Sequence, residues 1–375
     1  RITPGGHGGA IMWTGANGKV LNSNFTLNNA SRNGGAIYMQ GSTEGNCSNI
    51  LVDGSRFVEN YAGINGGALD WYEGAHDADL YNSVFINNTA ERSGGAVYWF
   101  GHDGTIANST FENNRALGNV NATDSYGRIT PGGHGGAIMW TGANGTVLNS
   151  TFRLNNASRN GGAIYMQGST EGNCSNITVD DCDFIENYAG INGGALDWYE
   201  GAHDSTLSNS YFIGNTAEKA GGAVYWYGHD GHVINSTFEN NRGSGDGGAL
   251  YVVGNTTELQ NSTFNNNIAG DDGGAVYWTG DHGVIFNVTA NNNKGISEGA
   301  SHSKGGTIII TGSHMTVDTL VVSNSFAEEE AGGLFLTGNY VNVTNAIFTG
   351  CSASMDGTAQ NITRGGGAVI IGNNT

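Results

Sequence analysis

Proline is nearly absent, with 2 residues in 375, while glycine supplies 64, roughly two and a half times its usual share. Glycine at this level without proline, and without a strict period of three, excludes collagen. Basic residues are scarce too, 14 against 33 acidic, for a net charge of −19. A nucleic-acid partner is excluded on that ground, because backbone binding needs clustered Lys and Arg. Anionic membranes are disfavoured for the same reason. No apolar run approaches the roughly 20 residues of a membrane helix, so the chain is read as not membrane-inserted. There is no signal peptide, and the first residue is Arg1 rather than Met; the chain is read as a piece of a longer protein. Cysteine is limited to Cys47, Cys174, Cys182 and Cys351, and no CxxC pair marks a zinc site. Cys174 and Cys182 lie close enough in sequence to bridge; buried thiols acting as small hydrophobes are the equal alternative.

What is present is repetition, on two scales. Residues 1–18, RITPGGHGGAIMWTGANG, return unchanged at 128–145, a period of 127 residues. NGGAIYMQGSTEGNCSNI at 33–50 returns at 160–177, and NYAGINGGALDWYEGAHD at 60–77 returns at 187–204. Duplication thus relates 1–127 to 128–254 and leaves 255–375 as divergent coils. The shorter repeat begins with GGA(I/V/L) at Gly8, Gly34, Gly66, Gly94, Gly135, Gly161, Gly193, Gly221, Gly247 and Gly273, with weaker versions at Gly305, Ala331 and Gly366. FxxN follows each early start, from Phe25–Asn28 to Phe264–Asn267. Nine residues separate each Phe from the next GGA, except after Phe111, where 15 extra residues, about Leu117 to Thr130, intervene. A fixed coil with length variation at a corner is how a solenoid behaves, and the extra segment should bulge from one corner.

Glycine pairs at this spacing would break helices, whereas short β-prone runs between NG, DG and GG turns fit parallel coils. The expected fold is all-β: one parallel β-helix of 12–13 coils over 1–375. In GGAIYMQG the Ile37 and Met39 columns are always apolar and are placed inside. The Tyr38 column holds Asp70 and Asp197 and is placed outside. VLNSTF, at Val147 to Phe152, reads as a second strand, with an Asn column through Asn22, Asn82, Asn108, Asn149, Asn209, Asn235 and Asn261. Stacked asparagines satisfy one another from coil to coil, and the Asn of FxxN can do the same at a corner.

GGA(I/L/V) alternating with FxxN from Gly8 to about Gly372 resembles the polymorphic outer-membrane protein repeat, as found in adhesin-like surface proteins. The resemblance implies a right-handed parallel β-helix, export and a role in attachment, and it brings no catalytic residue. The pattern departs from the family in the last coils: Ala290 and Val322 stand where Phe is expected, and Cys351 stands where Asn should follow Phe348, which puts the stacking there in doubt.

Candidate sites follow from the residues. DWYEGAHD gathers Asp70, Glu73 and Asp77 around His76, and its copy gathers Asp197, Glu200 and Asp204 around His203. Carboxylates beside histidine could do acid–base work, and the carboxylates are candidate ligands for Ca²⁺. Two copies argue against an active site, which is normally singular. No catalytic residue or required cofactor is therefore assigned, with calcium as the one candidate ion. GHDG at His102 and His229 exchanges with GANG and reads as a turn. The stripe Tyr38, Tyr98, Tyr165, Tyr225, Tyr251 and Tyr277 is a candidate sugar platform, with aromatic stacking as the competing explanation. Among the sequons, Asn121 and Asn255 lie in loops and are the candidate glycan acceptors.

These features point to an extracellular, surface-displayed, adhesin-like stalk that meets cells or glycans. A structural subunit of an envelope, sheath or filament, held by self-association, is the alternative. A polysaccharide-active enzyme ranks third.

Overall fold

The computed structural model describes residues 6–41, 47–72, 74, 76–123, 129–168, 174–297, 303–353 and 366–372. Among them there is no helix; short strands pair in parallel as a β-solenoid of about 11 turns. The count falls below 12–13 partly because the start at Gly366 adds a single strand, Ala368–Ile370, rather than a turn. The chain divides into two compact units, Arg1–Gly190 and Ile191–Thr375. The division falls inside the second copy of the 127-residue repeat rather than at its edge.

In the first unit three sheets repeat from turn to turn. The GGA sheet runs from Ile11–Trp13 to Ile164–Met166, with register partners such as Ile37↔Leu69 and Val97↔Ile138. The Phe sheet is built from pairs of short strands, for example Thr146–Leu148 and Thr151–Arg153. VLNSTF is therefore two strands and not one. The break is at Asn149, whose φ is +41°, a left-handed conformation that asparagine tolerates better than most side chains. A corner sheet of two-residue strands follows, from Asn29–Ala30 to Tyr188–Ala189. The second unit repeats this plan through Leu196–Trp198, Tyr211–Ile213 and Thr216–Ala217.

The glycine pair has two separate causes. Gly34 has φ +65°, and a Cβ there would strike the Ile37 carbonyl. Gly35 lies against the Gly67 carbonyl of the next turn, so a side chain would push the coils apart. The interior is filled by like residues stacked on like. Phe25, Phe57, Phe85, Phe111, Phe152 and Phe184 have successive ring centroids 4.7–4.9 Å apart and interplanar angles of 3–7°. That spacing matches the separation of hydrogen-bonded strands. Trp71, Trp99 and Trp140 form a second run of ring contacts, tilted between the first two and stacked between the last two, all fully enclosed.

The Asn of FxxN forms the buried corner. Asn88 Oδ1 accepts from the Asn60 backbone N–H (3.0 Å) and from Asn60 Nδ2 (2.9 Å). Asn88 Nδ2 donates to Asn114 Oδ1 (2.9 Å) and to the Phe57 carbonyl (3.0 Å). Both donors and both acceptor sites of the amide are thus used. In the second unit the pattern holds through Asn241, Asn267 and Asn293, where Ser325 Oγ takes over as acceptor.

Where the motif departs from the family, stacking continues. Ala290 pairs with Phe264 and with Val322, which in turn pairs with Phe348. The two short strands fuse there into Val284–Asn291 and Thr316–Ser323. The extra segment after Phe111 forms a small antiparallel pair, Ala122–Thr123 with Ile129–Thr130. The ladder closes beneath it, with Arg115↔Asn156 in register.

Candidate functional site

The column expected to face solvent lies on the outer side of the GGA sheet, but it is not bare. In the first unit it runs Tyr38, Asp70, Tyr98, Met139, Tyr165. Tyr38, Tyr98 and Tyr165 retain only 3%, 9% and 2% of their accessible surface. Histidines just before two of the glycine pairs pack onto this face. The His7 ring sits 4.4 Å from Tyr38 and the His134 ring 4.4 Å from Tyr165. Alternation correctly separated the two faces, but it could not show that the outer one is roofed. These three tyrosines are closed to a sugar.

In the second unit the column runs Asp197, Tyr225, Tyr251, Tyr277. These tyrosines are half-buried, and a cleft of about 270 Å³ opens beside Tyr225 and Tyr251, edged by Asn192, Lys219, Asp246 and Asp271. Ring centroids are 5.2 and 5.0 Å apart at 16° and 11°. Neighbouring tyrosines therefore occupy one another's faces. Sugar stacking needs a ring face, so this stripe is a ladder first.

Asp70 and Asp197 sit in those columns at 1% and 0% exposure, and neither carboxylate oxygen has a hydrogen-bond partner. Burial holds both carboxyls well above the usual carboxylate range. The other carboxylates of the motif lie elsewhere: Asp77, Glu200 and Asp204 are exposed, and Glu73 is outside the described residues. No three or more His, Cys, Asp or Glu side chains among the described residues are placed to hold a metal ion. The GHDG turns carry a ladder of their own. His102 Nδ1 accepts from the Ala143 N–H at 2.9 Å, and Asp103 has φ +59°.

Asn121 and Asn255 are both exposed. Asn255 Oδ1 accepts from the Asp281 N–H at 2.8 Å. All four cysteines are free, so Cys174 and Cys182 are not bridged. Burial pushes the Cys47 thiol up to about 11 and that of Cys182 to about 12.

Sequence reading missed a groove on the opposite corner of the first unit. It encloses about 480 Å³ and is lined by Ile86, Glu112, Asn113, Arg115, Leu154, Asn156, Glu186 and Tyr188, among others. Asn87, Asn113, Leu154 and Glu186 all have positive φ. The chain therefore bends at the same place in each turn, and outward side chains of the Phe and corner sheets converge. Arg153 bridges the two acids, 3.8 Å from Glu112 and 4.0 Å from Glu186. The Arg115 guanidinium makes a single 3.4 Å bond among the described residues, to Asn113 Oδ1. The lining residues come from four turns, so no local motif announces them.

Five segments, 82–98, 149–167, 209–225, 235–253 and 261–277, match the model of the Chlamydia polymorphic membrane protein repeat. It is 33% identical over 106 residues to a probable autotransporter, YfaL, of Escherichia coli strain K12; the match covers 26% of this chain and 8% of that protein. Among solved structures, a tailspike protein of E. coli bacteriophage HK620 in complex with a hexasaccharide aligns with a TM-score of 0.50 at 10% identity, over 94% of this chain and 69% of that one. The periplasmic alginate epimerase AlgG aligns with a TM-score of 0.50 at 9% identity, over 90% and 77%. PfbA, a surface adhesin of Streptococcus pneumoniae, aligns with a TM-score of 0.45 at 13% identity, over 84% and 83%. The tailspike and epimerase alignments show a shared fold and nothing of the chemistry. The match to the autotransporter spans less than a tenth of that protein's length.

Proposed function

We propose that the chain is an attachment segment of a protein displayed on the outer membrane or cell surface, presenting a rigid β-solenoid to glycans or to another cell. The observation that carries this reading is the family repeat, matched at five places on coils whose defining Gly, Phe and Asn residues are spent on stacking. The repeat thereby builds the scaffold and leaves the outward columns for recognition. A solenoid suits this task because each turn contacts only its neighbours, so outward residues can change without disturbing the ladder.

The test is retention of the purified chain on arrayed glycans and on cells, with turnover on alginate and pectin measured in parallel. Saturable retention without turnover is the expected result. If the chain binds neither glycan nor cell but assembles with itself, it is a structural subunit. Turnover would make it an enzyme.

A further inference from the structure

Resting on that reading, we infer that the corner groove of the first unit binds a carboxylate-bearing saccharide, such as a uronate or sialic acid residue of an oligosaccharide chain. The groove has the volume of a ligand site, at about 480 Å³. Its walls are mixed: Ile86 and Leu154 offer aliphatic surface, Tyr188 an aromatic ring and Asn156 an amide that donates and accepts, while the Asn113 amide is already bonded to Asn87 and Arg115. Such a combination suits a sugar, whose ring presents C–H faces between hydroxyls, better than a lipid or an apolar helix.

Charge selects the class of sugar. In a protein of net charge −19, this groove is lined by Arg115 and by two glutamates, which a second arginine, Arg153, bridges. Glu112 and Glu186 flank Arg153, so their charges are answered within the wall. Arg115 is exposed, lines the same groove and has no carboxylate within ion-pair distance among the described residues. A guanidinium presents a planar fork of donors that matches a carboxylate in two parallel bonds. A ligand carboxylate would complete Arg115 as Glu112 and Glu186 complete Arg153. The tyrosine ladder of the second unit lacks this combination: its ring faces are already stacked, and its cleft offers a lysine, Lys219, beside Asp246 and Asp271 but no guanidinium fork.

The experiment uses the whole chain and measures binding of trigalacturonate, its carboxyl-reduced analogue and sialyllactose by calorimetry. The acidic sugars should bind, with affinity falling as salt rises, and the reduced analogue should bind at least about tenfold more weakly. Arg115→Gln should lose a similar factor. Arg242→Gln, which removes a positive charge at the same corner position of the second unit, should change nothing. Unchanged thermal midpoints of both variants exclude misfolding. Equal affinity for the reduced sugar, or for Arg115→Gln, overturns the inference. If neither acidic sugar binds but arrayed neutral glycans do, the groove assignment falls and the attachment reading stands. If no glycan or cell binds at all, both fall.

Discussion

Two columns of asparagine run along these coils, and they differ in almost everything but residue type. The FxxN column is sealed inside: Asn60, Asn88, Asn114 and Asn155 in the first unit retain no more than 1% of their surface. The other column sits at the exposed bend between the two short strands, where Asn149 Nδ2 donates to Asn108 Oδ1 at 2.7 Å. The first column provides bonds that nothing else could supply, since water does not reach it. The second provides a backbone conformation. The chain itself makes the distinction: the exposed column accepts Gly54, Asp181 and Thr319, each with positive φ, whereas the buried one holds Asn from Asn28 to Asn293. Repetition of a residue type therefore identifies a column but not what the column contributes.

Breaking the buried column should have the largest effect. Asn114→Ala removes the acceptor of the Asn88 backbone N–H and of Asn88 Nδ2, and the donor to the Phe85 carbonyl. At about 1–3 kcal/mol for each orphaned buried group, the loss should be about 3 kcal/mol or more, read as a lower denaturant midpoint. A loss under about 1 kcal/mol would mean that water enters the corner, and the contrast between the columns would disappear.

Asp70 sharpens the comparison from another side, being buried like the first column and unbonded unlike it. Its folded pKa lies above its unfolded value, so the folded form holds the proton more tightly. The stability this contributes is fully present below about pH 4, the unfolded value, and is lost as pH rises through the folded one. Asp70→Asn, or Asp197→Asn, should therefore raise the melting temperature by a few degrees at pH 7 to 8. The gain should shrink toward nothing near pH 4. A gain independent of pH would show that the folded carboxyl titrates as the unfolded one does, so that burial does not raise it.

Smaller effects belong to the exposed side. Asn108→Ala should cost about 1 kcal/mol, the penalty of a left-handed residue with a Cβ and no helpful amide. Asn108→Gly should stay within about 0.5 kcal/mol, as Gly54 in the same column implies. If both substitutions cost alike, bonding rather than conformation holds that column. Deleting the segment from about Leu117 to Thr130 should shift the thermal midpoint by no more than a few degrees, because Arg115 and Asn156 already pair beneath it.

The sequence made the coil legible because its signals are local. The step from Phe to GGA set the turn, and the Ile37 and Met39 columns set the inward face. The divergent coils looked doubtful because Ala290 and Val322 lack the phenyl ring; what holds them is backbone pairing, which does not depend on side chain. The Tyr38 column was misread because alternation tells which side of a sheet a residue takes and not what later folds over it. The groove could not be read at all, since Ile86, Arg115, Asn156 and Tyr188 are neighbours only after the coil has closed.

The buried amide ladder also fixes how the second unit should respond to force. Pulled lengthwise, its turns share the same tension, and the weakest interface yields first. Asn241 grips Asn267 through two bonds to a single oxygen, and Asn293 grips Ser325 through one. Cys351 makes none to Ser325, its thiol turning to Val322 and Thr349 instead. The strand beside it, Ile347–Thr349, leaves Ile347 57% exposed. Extension in an optical trap should therefore begin at the turn of Cys351 and move inward as separate steps, each longer-lived than the one before, so that the unit lengthens under load long before it lets go.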